Sequence, residues 1–318
     1  MKKRATGFSR FFKRYATVLG YIVLCLFFAL RTKNFLTIKN GLTILRQIAP
    51  LAILSLGLTF VMITKRTDLS IGYSTSLLGV VVGAAMKHYG LPIPYAILIT
   101  FASGALIGIL NGVAVAYIGV PDFIATLGIG FLLSGINQAY TKGYSISSFP
   151  KAFNLFGVTR IGGVVPFSIL ILLAIFLIFL FVASKTKFGQ YIYAIGDNEE
   201  ATMMSGIDTK FNILKAYVLC GLGAAIAAIV LTSKLGQANP TAGESYMLDA
   251  MASVYLGATA FRDGEPNHCG TLLGTMIIGT MSNGLTLMNV PYYVKDIATG
   301  IIIIIAVTAT AIQRMKKK

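Results

Sequence analysis

Acidic side chains are the residues of this sequence most capable of chemistry, and they are concentrated in one stretch. Four of the eleven Asp and Glu residues of the chain lie between Tyr193 and Lys210, in the sequence YAIGDNEEATMMSGIDTK. Asp197 or Asn198 is predicted to cap a short helix there, with Glu200 completing a capping box at its positive N-terminal end. A helix of about two turns is too short to be stable alone in water. The stretch is therefore either a docking element for another protein or a solvated loop.

Other features expected of an enzyme are missing from the sequence. No nucleotide-binding pattern of the type GxxxxGK[ST] occurs. The two histidines, His88 and His268, are far apart in sequence and are predicted to be solvated in loops. The cysteines, Cys25, Cys220 and Cys269, have no metal-ligand spacing and are expected to be small apolar fillers. We therefore expect no catalysis, no metal and no cofactor in this chain.

The elements that must position the acidic stretch are membrane helices. The chain of 318 residues is 56% hydrophobic and 12% charged, whereas soluble domains carry about 25% charged residues. Long uncharged runs recur, such as 24 residues between Arg160 and Lys185. A spanning helix needs about 20 apolar residues, and only helices or closed barrels satisfy the backbone in lipid. We predict an all-α, polytopic transmembrane bundle of about ten spans.

Basic residues set the expected orientation and the divisions of this single transmembrane domain, 1–318. Lys and Arg are more frequent on the side that holds both termini, which the positive-inside rule makes cytoplasmic. The net charge of +16 is thus explained by topology and anionic lipid rather than by nucleic acid. The predicted cytoplasmic parts are a basic leader (1–15), a loop with the acidic stretch (185–211) and a basic tail (312–318).

A weak two-fold internal repeat links the two halves of the sequence. Asp68 begins DLSIG and Asp249 begins DAMAS, while Asn111-Gly112 and Asn283-Gly284 each precede a Val-Pro pair. Duplicated halves with interrupted spans are typical of transporters. Asp68 and Asp249 lie at span entrances, where a carboxylate either caps a helix or serves an ion-coupled symporter.

Uncharged polar residues within the spans are candidates for a solute pathway. A buried amide is costly unless it has a partner, so each one marks either a pathway or a hydrogen bond that holds two helices together. The candidates are Asn111, Asn137, Gln138 and Asn283.

The acidic stretch resembles the cytoplasmic motif YAIGxNEEAAxxSGI of the sugar-type permeases of ATP-binding-cassette importers. DLSIG, GILNG and VPDFIATLG also stand in that family's order. The resemblance implies a membrane subunit that works in a pair, receives a monosaccharide from an extracytoplasmic binding protein, and is driven by two ATPase subunits that bind ATP and Mg²⁺. It also implies a coupling helix that docks on the ATPase. That helix maps onto Asn198, Glu199, Glu200, Ala201, Ser205 and Gly206.

This chain departs from the resemblance at one cytoplasmic turn, 257–271, which reads GATAFRDGEPNHCGT. The family often has a glycine-rich run there, so the role of the turn is open. We expect a permease subunit for a pentose or hexose in the cell membrane of a prokaryote. The alternatives are a permease for nucleosides or another small polar solute, and an ion-coupled symporter.

Overall fold

The computed structural model of the protein describes residues 7–261, 264–291 and 293–301 together with residues 304 and 308, and side chains from residue 17 onward. Within these ranges the chain is almost wholly helical. Residues 293–301 are helical, Val113–Ile118 forms a π-helical turn after α4, and Lys151–Phe156 forms a 3₁₀ turn. The other helices are α1 (Gly7–Arg31), α2 (Ile38–Ile63), α3 (Ile71–Lys87), α4 (Ile93–Gly112), α5 (Asp122–Thr141), α6 (Phe167–Lys185), α7 (Lys187–Asp197), α8 (Glu199–Met204), α9 (Thr209–Leu235), α10 (Tyr246–Ala258) and α11 (His268–Leu287).

The strands of the described residues are two residues long and form two small antiparallel pairs. Strand β1 (Ile146–Ser147) pairs with β4 (Gln237–Ala238), and β2 (Arg160–Ile161) pairs with β3 (Val165–Pro166). The first pair joins the α5–α6 connection to the α9–α10 connection, the second lies within the α5–α6 connection, and neither forms a layer of its own. The all-α class predicted from the sequence is therefore confirmed.

Several helices are long and apolar enough to cross a membrane. Five of the described helices meet this criterion by length and composition. They are Ile38–Ile63, Ile93–Ile118, Asp122–Thr141, Phe167–Lys185 and Thr209–Leu235. Two shorter apolar helices, Thr17–Arg31 and Ile71–Lys87, accompany them. The protein is thus a multi-pass helical membrane protein, while the number of ten spans and the cytoplasmic position of the termini stay predictions.

The chain divides into two compact units, one formed by Ala49–Ala250 and the other by Met1–Ile48 with Met251–Lys318. In the unit Ala49–Ala250, α4 packs closely against α9 because glycines face the contact. A Cβ added to Gly104 would lie 2.6 Å from the backbone oxygen of Gly221, and one on Gly108 would lie 2.5 Å from that of Tyr217. Small residues permit this backbone approach in lipid, where dispersion drives helix association.

In the second unit, α1 packs on α11 through an aromatic and aliphatic cluster. Phe28, Phe35, Ile44 and Ile48 form its buried centre. A hydrogen bond of 3.3 Å between the hydroxyls of Tyr21 and Thr280 adds a polar tie. The predicted basic tail, 312–318, and the first six residues of the predicted leader lie outside the described residues.

Candidate functional site

The acidic stretch folds into the six-residue helix α8, held between α7 and α9. Asn198 is its N-cap, and its side-chain oxygen accepts the backbone N–H of Ala201 at 3.0 Å. At the other end, the hydroxyl of Ser205 donates to the carbonyl of Ala201 at 2.9 Å, and Gly206 adopts a φ of +81°. The predicted short helix is confirmed. The capping box is not, because Asp197 is the last residue of α7 and Asn198 takes the cap.

One face of α8 is apolar and exposed. Ala201 is exposed, Met203 is 53% exposed and Met204 is 77% exposed. Thr202 is buried on the opposite face. Because methionine is flexible and polarisable, such a face adapts readily to a groove on another protein.

An ion pair ties α8 to the connection between α2 and α3, residues 64–70. The Nη2 atom of Arg66 donates to both carboxylate oxygens of Glu199, at 3.2 and 3.1 Å. The Nζ atom of Lys65 donates to the backbone oxygen of Asp197 at 3.3 Å. These partners are more than 130 residues apart in sequence. Sequence reasoning assigned no contact to Arg66, since no local spacing signals a pair so distant.

The same connection is held from two further helices. The backbone N–H and the hydroxyl of Thr67 donate to Oδ2 of Asp122, at 2.5 and 2.9 Å, at the start of α5. From α9, the phenol of Tyr217 donates to the carbonyl of Thr67 at 2.8 Å. The α2–α3 connection is therefore a junction between α5, α8 and α9.

At the centre of this junction, Asp68 is only 4% exposed and accepts hydrogen bonds from its neighbours. Its Oδ1 accepts the backbone N–H and the hydroxyl of Ser70, at 2.9 and 2.6 Å. The thiol of Cys220 lies 3.5 Å from Oδ2, and the amide of Asn111 lies 3.5 Å from both oxygens. Among the described residues, no basic side chain pairs with Asp68.

This environment changes the acidity of Asp68. Burial raises the pKa of its carboxyl above the usual range, because desolvation disfavours the charged form. The hydrogen bonds from Ser70 and Cys220 oppose that rise. The sequence-based interpretation of Asp68 as an N-cap is wrong in detail: Ser70 is the N-cap of α3, and Asp68 holds Ser70 from two residues before.

Comparison with known proteins identifies the family. Residues 40–307 match the family described as the branched-chain amino acid transport system permease component. The chain belongs to this permease family. It is 36% identical over 314 residues to the ribose import permease of Haemophilus influenzae, covering 97% of both chains. It is 38% identical over 294 residues to the ribose import permease of Escherichia coli K12, covering 92% of this chain and 91% of the relative.

A relative named for another sugar is somewhat less similar to this permease than the two ribose permeases are. The D-allose transport system permease of Escherichia coli K12 is 32% identical over 308 residues, covering 96% of this chain and 94% of the relative. The similarity in each case covers more than nine-tenths of this chain.

The structure distributes the four candidate pathway amides of the permease over separate places. Asn111, on α4, donates to the hydroxyl of Ser70 at 2.7 Å and so belongs to the Asp68 cluster. Asn137, on α5, is fully buried and donates to the carbonyl of Pro240 at 2.8 Å. Gln138 is exposed and lies 3.4 Å from the hydroxyl of Ser134.

The fourth candidate, Asn283, is buried on α11 in the other unit. Side-chain oxygens of Asn111, Asn137 and Asn283 are all buried without a hydrogen-bond partner among the described residues. Each amide therefore has an acceptor to spare. The sequence spacing of the four amides did not indicate that, among them, Asn111 would be the one that lies beside the carboxylate of Asp68.

The divergent turn of the permease, 257–271, is only partly described, since residues 262 and 263 lie outside the described ranges. Asn267 caps α11 by accepting the backbone N–H of Gly270 at 2.7 Å. His268 is 1% exposed, so its predicted solvation is wrong. His88 is exposed as predicted, with its Nδ1 atom 2.8 Å from the hydroxyl of Tyr140. Within the described ranges, no three His, Cys, Asp or Glu side chains are grouped so that they could hold a metal ion.

Proposed function

We propose that this permease is the membrane-spanning subunit of an ATP-binding-cassette importer for a monosaccharide. The observation that carries the proposal is similarity over more than nine-tenths of the chain to permeases named for ribose and allose. An extracytoplasmic binding protein would deliver the sugar, and a second permease subunit, identical or related, would complete the pathway. The assembly would lie in the cell membrane of a prokaryote.

In this proposal α8 is the coupling helix. Separate ATPase subunits bind ATP and Mg²⁺. Each of them contacts the exposed apolar face that Met203 and Met204 form on one α8 helix. The remaining contacts come from the residues assigned by resemblance: Asn198, Glu199, Glu200, Ala201, Ser205 and Gly206.

A force applied to α8 has a defined route into the membrane. Arg66 holds Glu199, and the connection that carries Arg66 also contains Asp68. Around Asp68, hydrogen bonds reach α3 through Ser70, α4 through Asn111 and α9 through Cys220. Movement of α8 would thereby tilt three packed helices together, which is the rigid-body motion that alternating access requires.

Co-purification with the partner ATPase tests the coupling role. Glu200→Arg reverses an exposed charge of α8, and Gly206→Pro forces a φ near −65° where the chain needs +81°. We expect both variants to insert normally and to lose the ATPase. Lys151→Glu, the reversal of another exposed charge in the connection between α5 and α6, is the control. Retention of the ATPase by both α8 variants would contradict the coupling role.

The substrate is tested in the reconstituted complex. Stimulation of ATP hydrolysis by a binding protein loaded with ribose or allose is the expected result. Stimulation by a nucleoside-loaded binding protein alone would select the nucleoside alternative. Uptake that persists without any ATPase would select an ion-coupled symporter.

A further inference from the structure

The chain returns from α9 to α10 along a path that is not a regular helix. This return segment, residues 236–245, begins where Ala238 pairs with Ile146 of β1. A Cβ on Gly83 would lie 2.8 Å from the Cβ of Ala238, so the segment starts near the C-terminal half of α3. Five residues later, the backbone N–H of Gly243 donates to the hydroxyl of Ser76 at 2.9 Å. The segment therefore runs antiparallel to α3, towards its N-terminal end.

The depth of the return segment in the membrane follows from its position along α9, a candidate membrane span of 27 residues. Helices α3 and α9 run in the same direction, since Tyr217 contacts Thr67 and a Cβ on Gly79 would lie 2.8 Å from the hydroxyl of Thr232. Gly79 lies level with Thr232, which is three residues before the C-terminal end of α9 at Leu235, and Ser76 lies one turn before Gly79. At a rise of about 1.5 Å per residue, Gly243 therefore lies about 9 Å before that end of α9.

The start of α10 is deeper still. A Cβ on Gly72 would lie 2.9 Å from both the carbonyl oxygen of Gly243 and the Cβ of Met247. That level is about 15 Å from the C-terminal end of an α9 that is about 40 Å long. Since the hydrocarbon core is about 30 Å thick, residues 243–247 lie inside it when α9 spans the bilayer.

Polar side chains at this depth are not covered by the protein. Ser245 is exposed and Glu244 is partly buried, and Thr241, which precedes Gly243 and lies nearer the C-terminal end of α9, is exposed as well. No side-chain hydrogen bond or ion pair of Glu244 or Ser245 occurs within the described part of the chain. Lipid cannot solvate a carboxylate or irregular backbone, which are tolerated only where they are enclosed by protein or line a water-filled cavity.

A buried amide adds a second, independent sign. Asn137 donates to the carbonyl of Pro240 in the return segment, while its side-chain oxygen is buried and has no partner among the described residues. That oxygen sits beside the segment as an acceptor without a donor, and leaving such a group unpaired costs about 1–3 kcal/mol. Because Asn137 is fully buried, a water molecule enclosed beside the return segment would supply the missing donor.

A cavity beside α3 has the opposite character, although two of its lining residues, Val80 and Ala84, also pack with Ala238 of the return segment. It has a volume of about 590 Å³ and is lined by aliphatic side chains together with Tyr89 and Tyr140. Such a lining offers little hydrogen bonding to a polyol and fits an acyl chain better.

We propose that the return segment lines the sugar pathway, with the carboxylate of Glu244 accepting hydrogen bonds from sugar hydroxyls. The hydroxyl of Ser245 supplies a further polar contact to the same uncharged polyol, and the hydroxyl of Thr241, which donates to Oδ1 of Asn239 at 3.0 Å, can accept from it. The inference rests on the proposed function, because it takes a monosaccharide as the solute. It adds a contact site in a part of the chain for which the resemblance assigns no residue.

Cysteine labelling of the assembled complex in nanodiscs tests water access. In a background carrying Cys25→Ala and Cys269→Ala, Thr241→Cys and Ser245→Cys are treated with a cationic, membrane-impermeant methanethiosulfonate reagent. Leu177→Cys, an exposed position on the apolar helix α6, is the lipid-facing control. We expect the two return-segment cysteines to react at least tenfold faster than the control. Equal rates would overturn the proposal.

Glu244 variants test the contact with sugar. Glu244→Leu should lower the uptake of ribose and allose by about tenfold to hundredfold, the equivalent of one or two charged hydrogen bonds. Glu244→Gln keeps one acceptor oxygen and should lose less. Unchanged uptake by Glu244→Leu would refute the contact. Failure of the wild-type complex to transport any sugar would instead reject the proposed function, so the two failures are distinguishable.

Discussion

Two carboxylates of this permease lie outside the helices and have opposite surroundings. Asp68 is enclosed in the α2–α3 connection, where Ser70, Asn111 and Cys220 all donate to it. Glu244 lies in the return segment and makes no such side-chain bond within the described ranges. An enclosed carboxylate with its donors in place organises the structure around it. A partly exposed carboxylate at membrane depth that lacks such donors can accept hydrogen bonds from a solute. The hydroxyls of a transported polyol would supply them.

Removal of the Asp68 carboxylate should have the largest effect on stability. Asp68→Leu leaves the N–H and the hydroxyl of Ser70 buried without their acceptor, at a cost of about 3 kcal/mol or more. We expect a sharp fall in the temperature at which half the protein remains monodisperse by size-exclusion chromatography. Glu244→Leu is the matched variant and should leave that temperature unchanged. Similar losses in both would erase the distinction between the two sites.

Separation of α4 from α9 should come next. A Cβ at Gly108 would lie 2.5 Å from the carbonyl of Tyr217, which is the residue that holds Thr67. Gly108→Val should therefore cost about 1–3 kcal/mol of overpacking and loosen the enclosed junction. Gly135→Val, whose added Cβ would meet nothing within 4 Å, is the control. Equal thermal stability of the two variants would mean that the α4–α9 contact does not support the junction.

The ion pair between Arg66 and Glu199 should affect coupling more than stability. Exposed pairs contribute about 0.2–1 kcal/mol, and these side chains are 23% and 40% exposed. Arg66→Glu and Glu199→Arg should each lower the amount of sugar transported per ATP hydrolysed, with little change in thermal stability. The doubly exchanged protein restores the pair with reversed polarity and should regain part of the coupling. A double variant no better than the single ones would refute the link from α8 to the junction.

The pH dependence of stability should show the smallest effect. Because burial raises the pKa of Asp68 in the folded state, the folded protein binds more protons than the unfolded chain above the ordinary pKa of about 3.9. The contribution of Asp68 is fully present below that value and is lost as the pH rises through the folded pKa. Asp68→Asn, which does not titrate, should flatten this part of the stability profile measured from pH 4 to 8. An unchanged slope would show that Asp68 does not titrate in this range.

Local composition made much of the fold predictable. Uncharged runs such as the one between Arg160 and Lys185 indicate membrane helices without any knowledge of their neighbours, and α6 occupies that run. The helix α8 was also predictable, because Asn198 and Gly206 act on backbone groups only a few residues away. The correspondence of Asp68 with Asp249 in the predicted internal repeat was less informative: Asp68 precedes α3, whereas Asp249 lies in the first turn of α10.

Contacts between distant residues could not be predicted in the same way. Arg66 and Glu199 are 133 residues apart, and Asn137 and Pro240 are 103 residues apart. Nothing in the spacing of one partner limits the position of the other, since their distance depends on how whole helices pack. For the same reason, the sequence did not distinguish Glu244 from the other acidic residues. Its depth beside α3 is what makes it the proposed contact for a solute.

The sequence by itself determined that this chain is a helical membrane protein with a short capped helix in its longest predicted cytoplasmic loop, because hydrophobic burial in lipid and helix capping depend on residues close together in the chain. Only the tertiary structure decided that Asp68 is enclosed and that Glu244 is open. Whether a carboxylate finds donors depends on which helices surround it, and that is a property of their packing.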